Sequence, residues 1–210
     1  MIPDRFVTEY PARCLKLLAA LELKANELDL IGTFTVLLAT SMLTVPFERL
    51  RIHHPLFQDP GGLAGALAEM FKRPWCEAVV CAGASPAEWR FSRIMGDPNE
   101  VGGWRDEAGR PSMSVEANTI AKRTSMDVVR VLRNALAHGN IVYLDEDGRE
   151  TAGARVAFLG FLSRYEENQE QRARGETYRL VAVRETHLLR FIKNWAGWIA
   201  QFNPDDGFRH

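Results

Sequence analysis

Apolar residues recur along this chain with two different periods. Over residues 11–30 leucine returns at helical spacing, with Leu15, Leu18, Leu21 and Leu28 near one stripe. Pro11 suits the first turn of such a helix, where a missing N–H costs nothing. Residues 31–47, "IGTFTVLLATSMLTVPF", are apolar on nearly every side, the pattern of a central helix. "DPGG" at 59–62 is a strong turn, and "LAGALAEMF" behind it reads as a short helix. "WCEAVVCAGA" fits helix or strand equally well. Residues 96–112, "GDPNEVGGWRDEAGRPS", form a long loop of the kind that is mobile or functional.

The clearest helix spans about residues 114–138. Ser114 is its expected N-cap, Ile120, Val128, Val131, Leu132, Ala135 and Leu136 its apolar face, and Gly139 its end. The period then changes to two. "NIVYL" and "ARVAFLGF" read as strands around a "DEDG" turn, and "YRLVAVR" follows as a third. These predict a small antiparallel meander over about 141–184. A final helix over about 187–202 follows, with Thr186 as N-cap and Leu188, Ile192, Trp195 and Ile199 on one face. The fold class is therefore mainly α, a helical bundle with a β meander inserted before the last helix. No repeat or linker divides it, so residues 1–210 read as one domain.

Composition narrows the partners. Lys and Arg number 26 against 27 Asp and Glu, a net charge of −1. Such a chain does not coat nucleic acid by bulk charge, so a nucleic-acid partner needs a local basic cleft. Cys14, Cys76 and Cys81 are too few and too scattered for a disulfide framework or a zinc site. With no signal-peptide pattern at the N-terminus, a reducing cytoplasm is the expected compartment. The apolar segment 31–47 holds threonines and ends near Pro46. It is shorter than a spanning helix requires, which predicts a core or dimer-interface helix and no membrane.

Candidate chemistry is concentrated in "RNALAHGN", residues 133–140. Arg133 and His138 are five apart, so they differ by about 140° around a straight helix. Asn134 and His138, at i and i+4, share a face. Imidazole is the side chain that exchanges protons near neutral pH. The planar fork of arginine suits a phosphate, and Asn134 can hydrogen-bond the histidine or a sugar. A base and a phosphate clamp without metal ligands suffice for attack by an RNA 2′-hydroxyl on its own phosphate. The same residues also have a plain structural use, since a histidine before a C-cap glycine is a common helix ending.

"RNALAHG" resembles the Arg-x4–6-His signature of HEPN domains, in the form where Asn follows Arg. The apolar helix ending in "VPFE" and the strands leading to a last helix are similar to single-domain bacterial HEPN proteins, over about residues 12–50 and 114–202. The resemblance implies a helical bundle, a homodimer with motif helices facing across a two-fold axis, and metal-independent endoribonuclease activity of a toxin or defence effector. It makes Arg133 and His138 catalytic and Asn134 their orienting partner. Glu48, at the end of the apolar helix, would order Arg133 or the motif helix, or is a plain solvent charge at a helix end. The implied partners are RNA, a second copy and an antitoxin protein, with no cofactor and no metal. The family also holds members that only bind nucleotide, RNA or protein.

Weaker candidates surround the motif. Arg130, Arg164 and Arg179 could guide RNA to a cleft, as could Arg172 and Arg174, although Glu166, Glu167, Glu170 and Glu176 dilute that charge. Trp89 and Trp104 could stack bases if exposed, but core packing is their default. His53 and His54 lack a cluster that would make them metal ligands.

Overall fold

The computed structural model describes residues 6–50, 59–81, 83–153, 156–164 and 177–202. His53, His54, Arg172, Arg174 and the glutamates at 166, 167, 170 and 176 lie outside them.

Two long helices open the fold, α1 (Phe6–Glu27) and α2 (Ile31–Arg49). Between them Asp29 takes a left-handed φ of 56°, and the Leu30 N–H closes the turn on the Ala25 carbonyl at 2.8 Å. Pro11 is buried inside α1, further from its start than the first turn expected. Of the leucine stripe, Leu18 is buried, while Leu21 and Leu28 are 41% and 55% exposed.

Helix α2 buries Gly32, Thr35, Leu38, Ala39, Met42, Leu43 and Pro46. Its threonines fit an apolar setting because their hydroxyls donate back to carbonyls one turn earlier, Thr35 to Ile31 at 2.7 Å and Thr40 to Val36 at 2.8 Å. By length and composition α2 is also the one described helix able to cross a membrane, with 39% of its most apolar window buried in the protein.

A short helix, α3 (Leu63–Lys72), follows the "DPGG" turn. Residues 75–81 are two 3₁₀ turns, Trp75–Glu77 and Val79–Cys81, neither the helix nor the strand that the composition allowed. The last helix, α5 (Glu185–Ala200), packs against both α1 and α2. It starts one residue before the expected Thr186 cap, with Arg184 in the capping position. Trp195 is fully buried, and its indole Nε1–H donates to the Met42 carbonyl of α2 at 2.9 Å. Phe71 and Phe191 lie at ring-centroid distances of 6.4 and 6.0 Å from it.

The sheet has four antiparallel strands in the order β1-β4-β3-β2. They are β1 (Trp89–Met95), β2 (Ile141–Leu144), β3 (Phe158–Arg164) and β4 (Thr177–Val183). The last three are the expected meander. Strand β1 is an addition to it, and pairs with β4 from Trp89 opposite Val183 to Met95 opposite Thr177. Alternate residues Trp89, Phe91, Leu159, Phe161, Val181 and Val183 face the helices in the main core. Ile94, Leu162, Leu180, Trp104 and Met113 form a smaller core on the other face. Trp89 and Trp104 are thus 2% and 4% exposed and belong to packing.

Helix α4 (Ser125–His138) begins eleven residues later than the expected Ser114. Thr124 is its N-cap. The Thr124 hydroxyl accepts from the Asp127 N–H at 3.3 Å, and the Asp127 carboxylate accepts from the Thr124 N–H at 3.1 Å, a complete capping box. Ser114 instead accepts from the Ala117 N–H in a preceding turn. Thr124→Ala is expected to lower stability by about 1 kcal/mol. A drop in the urea midpoint at constant slope would register it; an unchanged midpoint would mean that the cap contributes nothing.

The three cysteines are free thiols. Burial pushes Cys14 and Cys81 up, which keeps both as poorly reactive thiols.

Candidate active site

The C-terminal half of α4 lies over β3, and the motif sits at its end. Gly139 takes φ 72°, a left-handed turn that a side chain would strain. The chain thereby leaves the helix and enters β2 directly. The N–H of Asn140 returns to the Ala135 carbonyl at 2.9 Å, and its carbonyl accepts from the Leu162 N–H of β3 at 3.0 Å. This double anchorage fixes the end of the motif helix against the rim of the sheet.

Arg130, Asn134 and His138, spaced four apart, line one wall of an open recess of about 410 Å³. Asn140, Ser163, Arg164 and Arg179 complete it. Ser163 and Arg179 are directly paired across β3 and β4, so both project toward the helix face. Among the described residues seven line it, of which three are arginines and none is acidic. The chain is nearly neutral overall. The recess is therefore basic against a nearly neutral chain, and it draws its charge from three separate elements. Arg130 and His138 are exposed, and Asn134 and Arg179 are half-buried.

Arg133 does not line this recess. It turns to the neighbouring flank of α4, where Nη2 forms an ion pair with the Glu48 carboxylate of α2. Its guanidinium carbon stands 5.8 Å from the centre of the Phe47 ring. The divergence of about 140° expected on a straight helix is thus realised, and arginine and histidine of one chain do not converge.

Asn134 connects the two sides. Its Oδ1 accepts from Arg133 Nη1 at 2.8 Å, and its Nδ2 donates to the Ser163 hydroxyl at 3.1 Å. Both ends of the amide are committed, so its orientation is set by its partners. Glu48 and Asn134 both contact Arg133, whereas the amide of Asn134 bonds Arg133 and Ser163 and not the histidine that the sequence also gave it as a partner. With Arg133 and Glu48 at 27% and 39% exposure, their ion pair contributes only about 0–1 kcal/mol to stability.

Ser163 and Asn140 are site residues that the sequence did not single out. Asn140 adjoins the motif, but only the left-handed turn at Gly139 brings it to the recess. Ser163 is one serine in an apolar strand, and its place depends on the register of β3. Among the described residues, no three His, Cys, Asp or Glu side chains gather as a metal-binding group.

The chain matches no protein-family model, no curated protein and no solved structure. The class that the fold defines is a mainly helical domain carrying a four-stranded antiparallel sheet, with a basic recess at the end of α4.

Proposed function

We propose that this protein is a HEPN-type, metal-independent endoribonuclease, acting by attack of the substrate's 2′-hydroxyl on the adjacent phosphate and leaving a 2′,3′-cyclic phosphate. The observation that carries this reading is the recess itself. An exposed imidazole at a helix end shares one open cavity with three arginines and, among the described residues, no acid. A phosphodiester seated there would be held by Arg130, Arg164 and Arg179. His138 would move the proton of the 2′-hydroxyl or of the leaving 5′-oxygen. Hydrogen bonds from arginine to the phosphate oxygens would stabilise the charge that grows on them.

Arg133 enters this scheme through a second copy. Its position outside the recess of its own chain fits a composite site, in which the arginine of one protomer meets the histidine of its partner across a two-fold axis. Leu17, Leu21, Leu23, Leu28, Leu30 and Leu37 are exposed on α1, α2 and their junction. A symmetric pairing would withdraw such surface from water. In this reading the protein is a cytoplasmic toxin or defence effector whose activity an antitoxin protein restrains. One observation favours the rival, a non-catalytic HEPN dimer that binds RNA, nucleotide or protein: the Glu48–Arg133 ion pair occupies the arginine that catalysis would need.

The deciding experiment incubates purified protein with single-stranded RNA in EDTA and with DNA of the same sequence. RNA fragments ending in a cyclic phosphate are expected, with the DNA intact. Binding without cleavage selects the rival, whereas equal cutting of DNA, or activity abolished by EDTA, sinks the proposed mechanism.

A further inference from the structure

A second recess, of about 450 Å³, opens on the opposite face of the sheet. Pro98, Asn99, Val101 and Trp104 reach it from the 96–112 loop, Gly139 to Val142 from the start of β2, and Glu150, Leu162 and Tyr178 complete it. Strand alternation explains the two faces. Leu162 sits directly opposite Leu180 in the smaller core, while the next pair, Ser163 and Arg179, belongs to the basic recess. Asn140 borders both cavities. The two recesses therefore meet at one rim of the sheet.

Their chemistry differs. The first is cationic. The second has a floor of Val101, Val142, Leu162 and the buried Trp104, with the half-buried Tyr178 as an aromatic wall. Trp104 is fixed there because its Nε1–H donates to the Pro98 carbonyl at 3.0 Å. The polar groups over this floor, Asn99, Asn140, Glu150 and Tyr178, include both donors and acceptors. Glu150 is exposed, and among the described residues no hydrogen bond or ion pair takes up its carboxylate. Asn99 uses one N–H of its Nδ2 on Asp97 Oδ1 at 2.8 Å, which leaves its other N–H and its Oδ1.

An open recess with an apolar floor, an aromatic side chain in its wall and a polar rim can take an unstacked nucleobase. A carboxylate accepts two parallel hydrogen bonds. Among the four RNA bases, guanine alone presents two adjacent donors, N1–H and the N2 amino group, on one edge. Adenine and cytosine offer a single amino group, and uracil a single imino N–H.

We infer that this second recess is a guanine-reading subsite, in which Glu150 accepts from N1–H and N2–H and Tyr178 faces the base, while the neighbouring phosphate occupies the basic recess beyond Asn140. Only the placement of that phosphate rests on the ribonuclease reading. The base pocket stands on its own lining.

The test uses four short fluorescent oligonucleotides, each with one guanosine, inosine, adenosine or uridine in a cytidine background and 2′-deoxy sugars to prevent cleavage. Binding is read by anisotropy. The guanosine strand is expected to bind at least about 10-fold more tightly than the adenosine and uridine strands. Inosine, which lacks the N2 amino group, should fall between. Glu150→Ala, at an exposed position, should remove the preference and leave circular dichroism unchanged. Arg179→Ala should weaken all four strands alike, because it serves the phosphate. Equal binding of all four strands, no binding of any, or a preference that survives Glu150→Ala overturns the subsite. RNA cleavage without a guanine preference would refute the subsite alone. Guanine-selective binding without any cleavage would refute the ribonuclease reading and keep the subsite.

Discussion

Replacing His138 by alanine is expected to lower RNA cleavage by about 10²–10⁴-fold, the usual contribution of a general acid or base. The melting temperature should barely move. His138 is exposed at the last position of α4, and Gly139 and Asn140 hold the helix end without it. Substitutions at such surface positions stay within about 0.5 kcal/mol. Arg133→Ala tests the composite arrangement. The two inactive homodimers are unfolded together and refolded, so that mixed dimers regain one intact Arg133–His138 pair across the axis. Partial recovery of cleavage is the expected outcome. A monomer in light scattering, or no recovery from a verified mixed dimer, would refute the shared site. Loss of folding in both variants would leave the motif a helix terminator only.

The largest loss of stability is expected at Trp195, remote from the recess. Trp195→Ala removes a fully buried indole that packs against Phe71 and Phe191. It also takes away the donor that satisfies the Met42 carbonyl. Deleting a large buried aromatic costs about 3–5 kcal/mol, and an orphaned buried acceptor adds about 1–3 kcal/mol. The sum rivals the entire stability of an ordinary domain. Far-UV circular dichroism should therefore report a largely unfolded chain at 25 °C. Trp195→Phe should recover most of the packing and isolate the loss of the hydrogen bond. A Trp195→Ala protein that melts cooperatively within a few degrees of the parent would show that α5 is dispensable to the core.

Much of this arrangement is legible in the sequence where periodicity is strong. The apolar continuity of 31–47 becomes α2, and the alternation after Gly139 becomes β2 to β4. Legibility fails where a local signal has a competitor. Ser114 and Thr124 both offer a capping hydroxyl. Thr124 wins because Asp127 stands three residues on and returns the hydrogen bond, whereas Ser114 has Ala117 there. Strand β1 carries Trp89, Phe91 and Ser92 through a buried stretch, and its identity is fixed by pairing with β4. Non-local pairing of this kind leaves little trace in a short window.

The site divides in the same way. Arg133, Asn134 and His138 lie in one short polar stretch at the end of α4, and Glu48 lies on the neighbouring helix. Ser163, Asn140 and the second recess depend on strand register and on one left-handed glycine, so only the folded chain assembles them. The basic residues named from the sequence separate accordingly. Arg130, Arg164 and Arg179 meet at the recess, while Arg133 leaves it for Glu48.

The sheet order carries a consequence for biosynthesis. Strand β1, at residues 89–95, has as its hydrogen-bonded neighbour β4, at residues 177–183. The motif helix is made between them, and Arg179 lies on β4 itself. A nascent chain that has emerged only through His138 holds the imidazole but neither β3 nor β4, and so lacks most of the cationic wall. Closure of β1 onto β4 is a long-range step that local helix formation precedes. In this topology the recess is assembled only after the ribosome has released most of the chain. If the proposed nuclease activity holds, the protein is catalytically incomplete for most of its own translation, while the messenger that encodes it is still being read.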